Sequence, residues 1–419
     1  MGTCTRRITR FERLLRGALI LAAAALPADA SELPAAVAGP RFRADGPNAE
    51  AYGRREGYPS CKGLAFVRED RCKVGALSHF DTLFPARRVA ASQAPTAFRR
   101  AASEPVVRYT FAGEERTLEQ YLERRPVTGF LIARGDTILV ERYQYGRTDR
   151  HRLASFSLVK TIIGLLVGIA IEEGTIRSID DLAQAYVPAL RGTAYGQTSI
   201  KALLQMRSGV RFREDYADQA SDIYVLARLT LEQDPGGSID AVKRFDFRLT
   251  APGTRFSYSS ADTVVLGLVV AAATGRTLSD YTREKLWQPL GTEADASWIV
   301  DGKGHEVTFA YYNAVLRDLA RLGLMLAHHG AWAGRSIVPQ RWLASSIANS
   351  GETDSTLRYG YHVWISPDSR RFMLWGFRGQ FVLADPETGL VLVQTCITHE
   401  DFLVNELSAL WTAARAQLR

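Results

Sequence analysis

The sequence predicts an α+β fold, in which an antiparallel sheet is flanked by helices and an inserted helical subdomain falls roughly within 175–345. Strand-like runs lie near both ends of the 419-residue chain, and helical periodicity dominates between them. No regular alternation of strands and helices is present, which argues against a doubly wound or barrel fold. We therefore expect one sheet assembled from the two terminal parts of the chain.

The individual elements follow from the spacing of apolar residues. Strands are predicted at Val106–Phe111, Phe130–Ala133, Thr137–Tyr143, Tyr359–Ile365, Phe372–Phe377, Gln380–Ala384 and Leu390–Ile397. Helices are predicted at Thr161–Ile171, Ile200–Met206, Ala261–Thr274, Leu278–Leu286, Asn313–Ala327 and Phe402–Gln417. Because Thr161–Ile171 is apolar on nearly every face, we expect that helix to be buried on all sides.

The first thirty residues resemble a signal peptide. Five arginines up to Arg16 precede the apolar run Gly17–Leu26, and Ala28-Asp29-Ala30 offers small residues for cleavage. The run is shorter than the roughly 20 apolar residues that span a bilayer. The sequence thus predicts a signal peptide over 1–30 and a periplasmic or secreted protein. An uncleaved N-terminal anchor is the alternative, and it would be the only link to a membrane.

Residues 31–105 are predicted to form an irregular N-terminal extension, which precedes a main domain at 106–419. Cys61 and Cys72 lie close together in this extension, and an exported chain meets an oxidising compartment, so we expect them to form a disulfide. Cys396 lies in an apolar run and is predicted to be a buried free thiol. The chain has no Cys-x-x-Cys pair and no zinc-type histidine spacing, so neither a metal nor another cofactor is expected.

Charge excludes one class of partner. The net charge is +7, but much of the basic excess lies in the predicted signal peptide, and elsewhere basic and acidic residues are interspersed. No basic stripe interleaved with aromatic residues is present, so nucleic-acid binding is not expected. The sequence points instead to a small-molecule or short-peptide-like substrate, and it gives no signal for an oligomeric state.

Ser157-Leu158-Val159-Lys160 is the only Ser-x-x-Lys in the chain. It opens the predicted buried helix, where residues three apart share a face, so Lys160 can lie beside the Ser157 hydroxyl. A buried lysine loses proton affinity and can act as a base that activates the serine. The alternative is a helix-capping Ser157 with a solvent-facing Lys160, but a lysine at the head of an apolar helix is costly unless it is paired or functional.

Two further segments carry candidate site residues. Tyr258 and Ser260 follow a Pro-Gly turn. The Tyr258 phenol could move a proton to the leaving group, and a cationic lysine nearby would lower the pKa of that phenol. Ser260 could form a hydrogen bond to Lys160 or to a substrate carbonyl. In Trp375–Phe381, glycines permit close approach of the backbone, so the amide of Gln380 after Gly379 could donate to an oxyanion beside the amide of Ser157. Arg378 could bind a substrate carboxylate. The structural alternatives are that Tyr258 is an aromatic core residue and that Trp375–Phe381 is a strand bend relieved by glycine.

In this order, the three segments resemble those of the serine β-lactamase and penicillin-binding-protein superfamily, in its class C-like branch, from about Phe130 to Thr398. The resemblance implies a β-lactamase/transpeptidase-like fold, Ser157 as the acylated serine, Lys160 as its partner, Tyr258 as the tyrosine of the Tyr-x-Asn element and Gln380 as the second oxyanion donor. Ser260 stands where β-lactamases carry asparagine, and Phe377-Arg378-Gly379 where they carry Lys-Thr-Gly. Both differences remove groups that hold β-lactams.

The segment Gly376–Gln380 is most similar to the 6-aminohexanoate-dimer-hydrolase branch, which also implies a substrate contact at Tyr216. The sequence therefore predicts a serine hydrolase that cleaves an amide or ester through an acyl-enzyme. D,D-peptidase or β-lactamase activity is one alternative, and a non-catalytic binding protein on the same fold is another.

Overall fold

Strands occur in both terminal parts of the chain. The computed structural model describes residues 38–232, 236–398 and 401–419, without the side chains of 401–403, so the predicted signal peptide lies outside the described residues. In chain order the strands of the described part are β1 Arg41–Phe42, β2 Ala86–Val89, β3 Arg99–Arg100, β4 Arg108–Phe111, β5 Glu114–Thr117, β6 Val127–Arg134, β7 Thr137–Tyr143, β8 Leu153–Ala154, β9 Ala296–Ile299, β10 Tyr312–Ala314, β11 Ala331–Trp332, β12 Arg335–Ser336, β13 Gly351–Glu352, β14 Arg358–Tyr359, β15 Trp364–Ile365, β16 Phe372–Gly376, β17 Gln380–Asp385 and β18 Leu390–Cys396.

Most of these strands form one large sheet in the order β1-β7-β6-β18-β17-β16-β15-β14-β13, with β3 also paired to β7. The central pairs are antiparallel, and β6 from the first part of the chain lies directly beside β18 from the last part. The prediction of an antiparallel sheet assembled from both terminal parts is therefore confirmed. A smaller sheet has the order β2-β9-β10-β8.

Helices fill most of the region between these strands. They are α1 Lys73–Ser78, α2 Phe80–Leu83, α3 Leu118–Arg124, α4 Val159–Glu172, α5 Ile200–Leu204, α6 Asp222–Leu231, α7 Gly237–Lys243, α8 Ser260–Thr274, α9 Leu278–Thr282, α10 Leu316–Ala327, α11 Gln340–Ala348 and α12 Asp401–Gln417. The predicted helix Asn313–Ala327 begins only at Leu316, because Asn313 pairs with β8 and β9 as part of β10. As expected, α4 is buried on all sides from Val159 to Ala170.

Successive side chains of the central strands point to opposite faces of the sheet and so contribute to two separate hydrophobic cores. In β6, Leu131 and Ala133 face the core that contains α4, α8 and α10, whereas Phe130 and Ile132 face the core beneath α3 and α12. Successive side chains of a strand point to opposite faces, so a strand covered on both faces must be apolar at nearly every position. This explains why the central strands are the strongest strand signals in the sequence.

The extension proves more ordered than its sequence suggested. Its short strands β1 and β3 pair parallel to β7, and β2 pairs with β9. These strands are rich in arginine and lack an apolar alternation, so the edges of neighbouring strands, rather than local propensity, create them. The predicted Val106–Phe111 strand becomes β4 but forms a hairpin with β5, outside the large sheet.

The cysteines behave as the sequence indicated. Cys61 and Cys72 form a disulfide with their Cα atoms 5.6 Å apart, which confirms the predicted pairing. Cys396 is a buried free cysteine at the end of β18. The disulfide is compatible with an extracellular or periplasmic location.

A helix that spans a membrane needs a certain length and an apolar composition. Within the described residues, no single helix is long and apolar enough to cross a membrane, and only Ser260–Thr274 with Leu278–Trp287, bent by 78°, reaches the required length and composition as a pair.

A buried carboxylate fastens α12 to the β4–β5 hairpin and to α3. Glu406 is fully buried and accepts hydrogen bonds from the Tyr109 hydroxyl at 2.8 Å, from Arg124 at 2.7 Å and from Arg125 at 2.7 Å. Arg116 adds a fourth contact at 3.1 Å. Because three cations and one hydroxyl share this carboxylate, its removal leaves the buried Tyr109 hydroxyl without its acceptor and the three cations without their shared counter-charge.

We expect Glu406→Ala to lower the free energy of unfolding by about 3–5 kcal/mol, which is typical for breaking a buried ion pair. Denaturant unfolding followed by circular dichroism measures the change. The control is Glu387→Ala, because Glu387 is half exposed and lies 3.9 Å from Arg415. Similar losses in both variants would show that the buried network does not hold α12 in place.

Candidate active site

Ser157 and Lys160 lie together at the start of the buried helix. Ser157 belongs to a 3-10 turn, Phe156–Leu158, that leads directly into α4. The Lys160 ammonium donates a hydrogen bond to Ser157 Oγ at 2.7 Å and another to the Phe309 carbonyl at 2.9 Å. Phe156 has a positive φ of 46°, a conformation that is costly for a non-glycine residue and is often found beside functional groups. The local backbone therefore presents the serine hydroxyl directly to the lysine.

Lys160 carries its charge in an apolar environment. Its side chain is only 1% exposed, and within the described chain no carboxylate lies within 4.0 Å of its ammonium group. Burial lowers the pKa of Lys160 to about 8, and the more distant Glu214 opposes the shift. A lysine with this pKa is partly neutral near neutral pH, which is what a base needs in order to accept the serine proton.

Tyr258 approaches the same pair from the loop before α8. Its ring centroid is 5.1 Å from Lys160 Nζ, and the ring stacks on Trp364 with centroids 5.7 Å apart. The structure thus brings together the three residues Ser157, Lys160 and Tyr258. Burial raises the pKa of Tyr258 above its usual value, and hydrogen bonding to Ser157 only partly opposes this. The lysine was expected to lower the pKa of Tyr258, whereas desolvation of the phenolate and the charge of Glu214 raise it, so the phenol stays protonated.

A carboxylate that the sequence reasoning missed organises the other side of the site. Glu214 accepts hydrogen bonds from the Ser260 amide at 2.7 Å, from the Ser260 hydroxyl at 2.9 Å and from the Tyr216 hydroxyl at 2.5 Å. Ser260 was expected to reach Lys160 or a substrate carbonyl, and instead it is held by Glu214. The polar run Arg213–Tyr216 after the Ser208-Gly209 turn was the available signal, but only Tyr216 was selected from it.

Tyr216 divides the cleft above Ser157. Its ring stacks on Phe377 with the centroids 4.4 Å apart, and both residues line two separate cavities that meet at Ser157. One cavity, of about 60 Å³, is the more enclosed of the two and is lined mostly by apolar groups, and we call it the closed cavity. The other, of about 370 Å³, is more open and is lined by Tyr258, Trp364 and Trp375. A substrate that reaches Ser157 can therefore extend in two directions.

The turn between β16 and β17 differs in register from the expectation. The side chain of Gln380 is buried and donates to the carbonyls of Cys396 at 2.6 Å and Phe377 at 3.2 Å, while the Gly379 carbonyl accepts from Gln394. In the described structure, neither Gly379 nor Gln380 lines the cavities at Ser157. Gln380 is the first residue of β17, and its side chain braces the turn through these hydrogen bonds.

Phe377 and Arg378, rather than Gln380, are the residues of this turn that line a cavity with Ser157. The preceding Gly376 runs so close to the serine segment that a Cβ atom placed on it would lie 2.2 Å from the Ser155 carbonyl oxygen. Glycine is required there for the approach of the two backbones. The end of β16 is thereby placed against the turn that carries Ser157.

Arg378 is buried in the same turn. It is 7% exposed and lines the closed cavity, and its Nη1 donates to the Ile397 carbonyl at 3.2 Å. Its Nε has no hydrogen-bond partner, and in the described part of the chain no carboxylate lies within 4.0 Å of the guanidinium. Burial lowers the pKa of Arg378 from its usual value.

The described residues contain one group of side chains close enough to share a metal ion, namely Cys61, Glu69 and Cys72. Its two sulfur atoms are already joined in the disulfide. That group is therefore unsuited to hold an ion.

Comparison with known proteins agrees with this geometry. A family model described as Beta-lactamase matches residues 115–400, which include the serine, the lysine, the tyrosine and the β16–β17 turn. The chain belongs to this family. Its fold is the β-lactamase/transpeptidase fold, and members of the family are hydrolases. The disulfide-bonded part of the extension lies outside the matched residues.

Several relatives share most of the chain. A 6-aminohexanoate-dimer hydrolase from Paenarthrobacter ureafaciens is 31% identical over 315 residues, covering 70% of this chain and 78% of its own. A solved structure from Bacillus anthracis, provisionally named a 6-aminohexanoate-dimer hydrolase, has a TM-score of 0.76 at 23% identity and covers 83% of this chain and 95% of its own. EstCE1, described as a hydrolase with promiscuous acyltransferase activity, has a TM-score of 0.57 at 16% identity and covers 71% and 96% of the two chains. At these identities, the two solved structures show the shared fold.

The lysine predicts a pH dependence. As the pH rises through about 8, Lys160 loses its proton and becomes able to accept that of Ser157, so the rate of labelling by a fluorophosphonate should rise with a midpoint at about pH 8. The rate is measured from labelling reactions that are quenched at fixed times across the pH range. Lys160→Ala should label slowly and lose the inflection, whereas Lys243→Ala, an exposed change on α7, should keep it. An unchanged profile in Lys160→Ala would contradict the role of the lysine as base.

The close approach at Gly376 gives a second expectation. Gly376→Ala should slow the labelling of Ser157 by at least about tenfold, because an added methyl group displaces the turn from the serine segment and small misplacements are costly at reacting centres. The control is Gly39→Ala, since a Cβ at Gly39 meets no atom within 4 Å. Thermal unfolding separates misfolding from misplacement. Wild-type labelling in Gly376→Ala would show that the approach of β16 is not needed for reactivity.

Proposed function

We propose that the protein is a serine hydrolase that cleaves an ester or linear amide through an acyl-enzyme on Ser157. The observation that carries this proposal is the 2.7 Å contact between the buried Lys160 ammonium and Ser157 Oγ. A serine hydroxyl is a weak nucleophile until a neighbouring base removes its proton, and a buried lysine with a lowered pKa is suited to that task. No cofactor takes part in the proposed reaction.

In the acylation step, neutral Lys160 accepts the proton of Ser157 Oγ, and Oγ forms a bond to the substrate carbonyl carbon. The carbonyl oxygen becomes an oxyanion, which backbone amides can stabilise. We assign this role to the amide of Ser157 and, in place of Gln380, to the amide of Phe377. The assignment rests on the position of Phe377 in both cavities at Ser157 and on the contact of Gly376 with the serine segment.

Tyr258 completes the proton transfer. Its phenol is protonated, so it can donate to the leaving oxygen or nitrogen as the carbonyl carbon–heteroatom bond breaks, and it regains a proton from the Lys160 ammonium. Water then enters in place of the leaving group and attacks the acyl carbon, giving one proton to the same pair. Ser157 departs with a proton, and the acid is released.

Linear substrates suit the cleft better than β-lactams. Ser260 is occupied by Glu214, and the β16–β17 turn offers a phenylalanine and an arginine where β-lactamases have Lys-Thr-Gly. The name of the Paenarthrobacter ureafaciens relative, a hydrolase of 6-aminohexanoate dimer, supports a linear amide. We further propose that the enzyme is exported, on the basis of the predicted signal peptide and the disulfide, and that it acts on a small or short-peptide-like substrate.

Substitution of the serine tests the proposal. Ser157→Ala should abolish fluorophosphonate labelling and hydrolysis of short esters, because no other group supplies the nucleophile. Intact-protein mass spectrometry measures the label, and Ser345→Ala, an exposed change on α11, serves as the control. A folded wild-type protein that is never labelled would support a binding protein instead. Selective cleavage of D-Ala-D-Ala peptides or of nitrocefin would support a D,D-peptidase or a β-lactamase.

A further inference from the structure

The closed cavity beside Ser157 has an unusual chemical make-up. Its walls are apolar, with Leu64, Phe66 and Val67 of the extension on one side and Ile223 and Ala227 of α6 on another. In the described structure, Arg378 is the only charged side chain among its lining residues. The extension thus closes a pocket whose single charge is a buried guanidinium.

Among the described residues, no carboxylate forms an ion pair with that guanidinium. One carbonyl, that of Ile397, accepts from Nη1, while Nε has no hydrogen-bond partner. Asp70 is the acidic residue whose charge reaches Arg378, but it is exposed and forms an ion pair with Lys73. Buried charges are normally paired, and the planar guanidinium binds a carboxylate through two parallel hydrogen bonds. The pocket is therefore suited to an anionic group from the substrate.

The position of Tyr258 identifies which part of the substrate enters this pocket. Tyr258 lines the open cavity with Trp364 and Trp375 but not the closed one. The group that protonates the leaving atom must lie on the leaving-group side of the scissile bond. The leaving group then occupies the open cavity, and the acyl group extends past the Tyr216–Phe377 pair into the closed one.

We propose that the enzyme prefers acyl groups that end in a carboxylate, which Arg378 binds in the closed cavity. This substrate class rests on the proposed acyl-enzyme function. The cavity of about 60 Å³ has room for about four water-sized groups, so it fits short chains such as succinyl and glutaryl. An acyl group that ends in an ammonium, such as 6-aminohexanoyl, would meet the like charge of the arginine.

Matched ethyl esters test this in the wild-type enzyme. Ethyl hydrogen glutarate, its neutral analogue ethyl 4-carbamoylbutanoate and the cationic ethyl 5-aminopentanoate differ mainly in the terminal group, and their hydrolysis is followed in a pH-stat. We expect kcat/KM for the glutarate ester to exceed that for the neutral ester by at least about tenfold, with the cationic ester slowest. Equal rates, or a preference for the cationic ester, would overturn the proposal while leaving the hydrolase function intact.

Substitution of the arginine localises the effect. Arg378→Met should reduce the ratio of the acidic to the neutral kcat/KM by at least about tenfold, mainly through KM. The matched control, Arg335→Met, changes an exposed arginine of β12 and should leave the ratio unchanged. A ratio preserved in a folded Arg378→Met protein would show that the carboxylate is bound elsewhere.

A binding measurement keeps this inference separate from the proposed function. Glutarate should bind to Ser157→Ala in a calorimetric titration, and its neutral monoamide should bind at least about tenfold more weakly. This result would support the carboxylate pocket even if Ser157 proves unreactive towards fluorophosphonate and esters. Equal affinity for the two compounds, or no binding of glutarate, would count against the pocket whatever the catalytic result.

Discussion

The site depends on a lysine that is buried without a neighbouring carboxylate. Lys160 is held by the Ser157 hydroxyl and the Phe309 carbonyl, and α4 places it between the large sheet and the other helices, where it cannot turn towards solvent. The nearby His362 is also buried, which lowers its pKa to about 3 and keeps it neutral. Desolvation is therefore the main influence on the charge of the lysine. The free-energy cost of burying this ammonium group is offset by the burial of the apolar side chains of α4.

Glu214, the carboxylate whose charge reaches Lys160, forms its hydrogen bonds to other groups of the cleft. Glu214 fixes Ser260 and the Tyr216 hydroxyl, and Tyr216 in turn stacks on Phe377. If Glu214 paired directly with the ammonium, it would stabilise the charged lysine and weaken it as a base. Its actual position keeps its carboxylate out of contact with the ammonium and supports the wall that separates the two cavities. The charge of the lysine and the shape of the cleft are thus connected through one side chain.

Local patterns predicted the parts of the structure in which each strand or helix is specified by its own residues. Short continuous apolar runs identified the central strands, a longer apolar sequence identified α4, and the i,i+3 spacing placed Lys160 beside Ser157. The pairing of Cys61 with Cys72 followed from their proximity in a segment that the sequence predicts to be exported. The arginine-rich strands β1 and β3 could not be predicted in the same way, because they form only against the edge of β7.

The sequence by itself thus determined the family, the central strands, the buried helix α4, and the pair of Ser157 and Lys160, since short-range spacing and apolar pattern are local properties. Only the tertiary structure decided which residues face that pair. Glu214 comes from a polar loop, Phe377 and Arg378 rather than Gln380 line the closed cavity beside Ser157, and Leu64, Phe66 and Val67 reach that cavity from the extension. Segments distant in the sequence meet there through packing and turn register, and these long-range contacts leave no periodic signal in the chain.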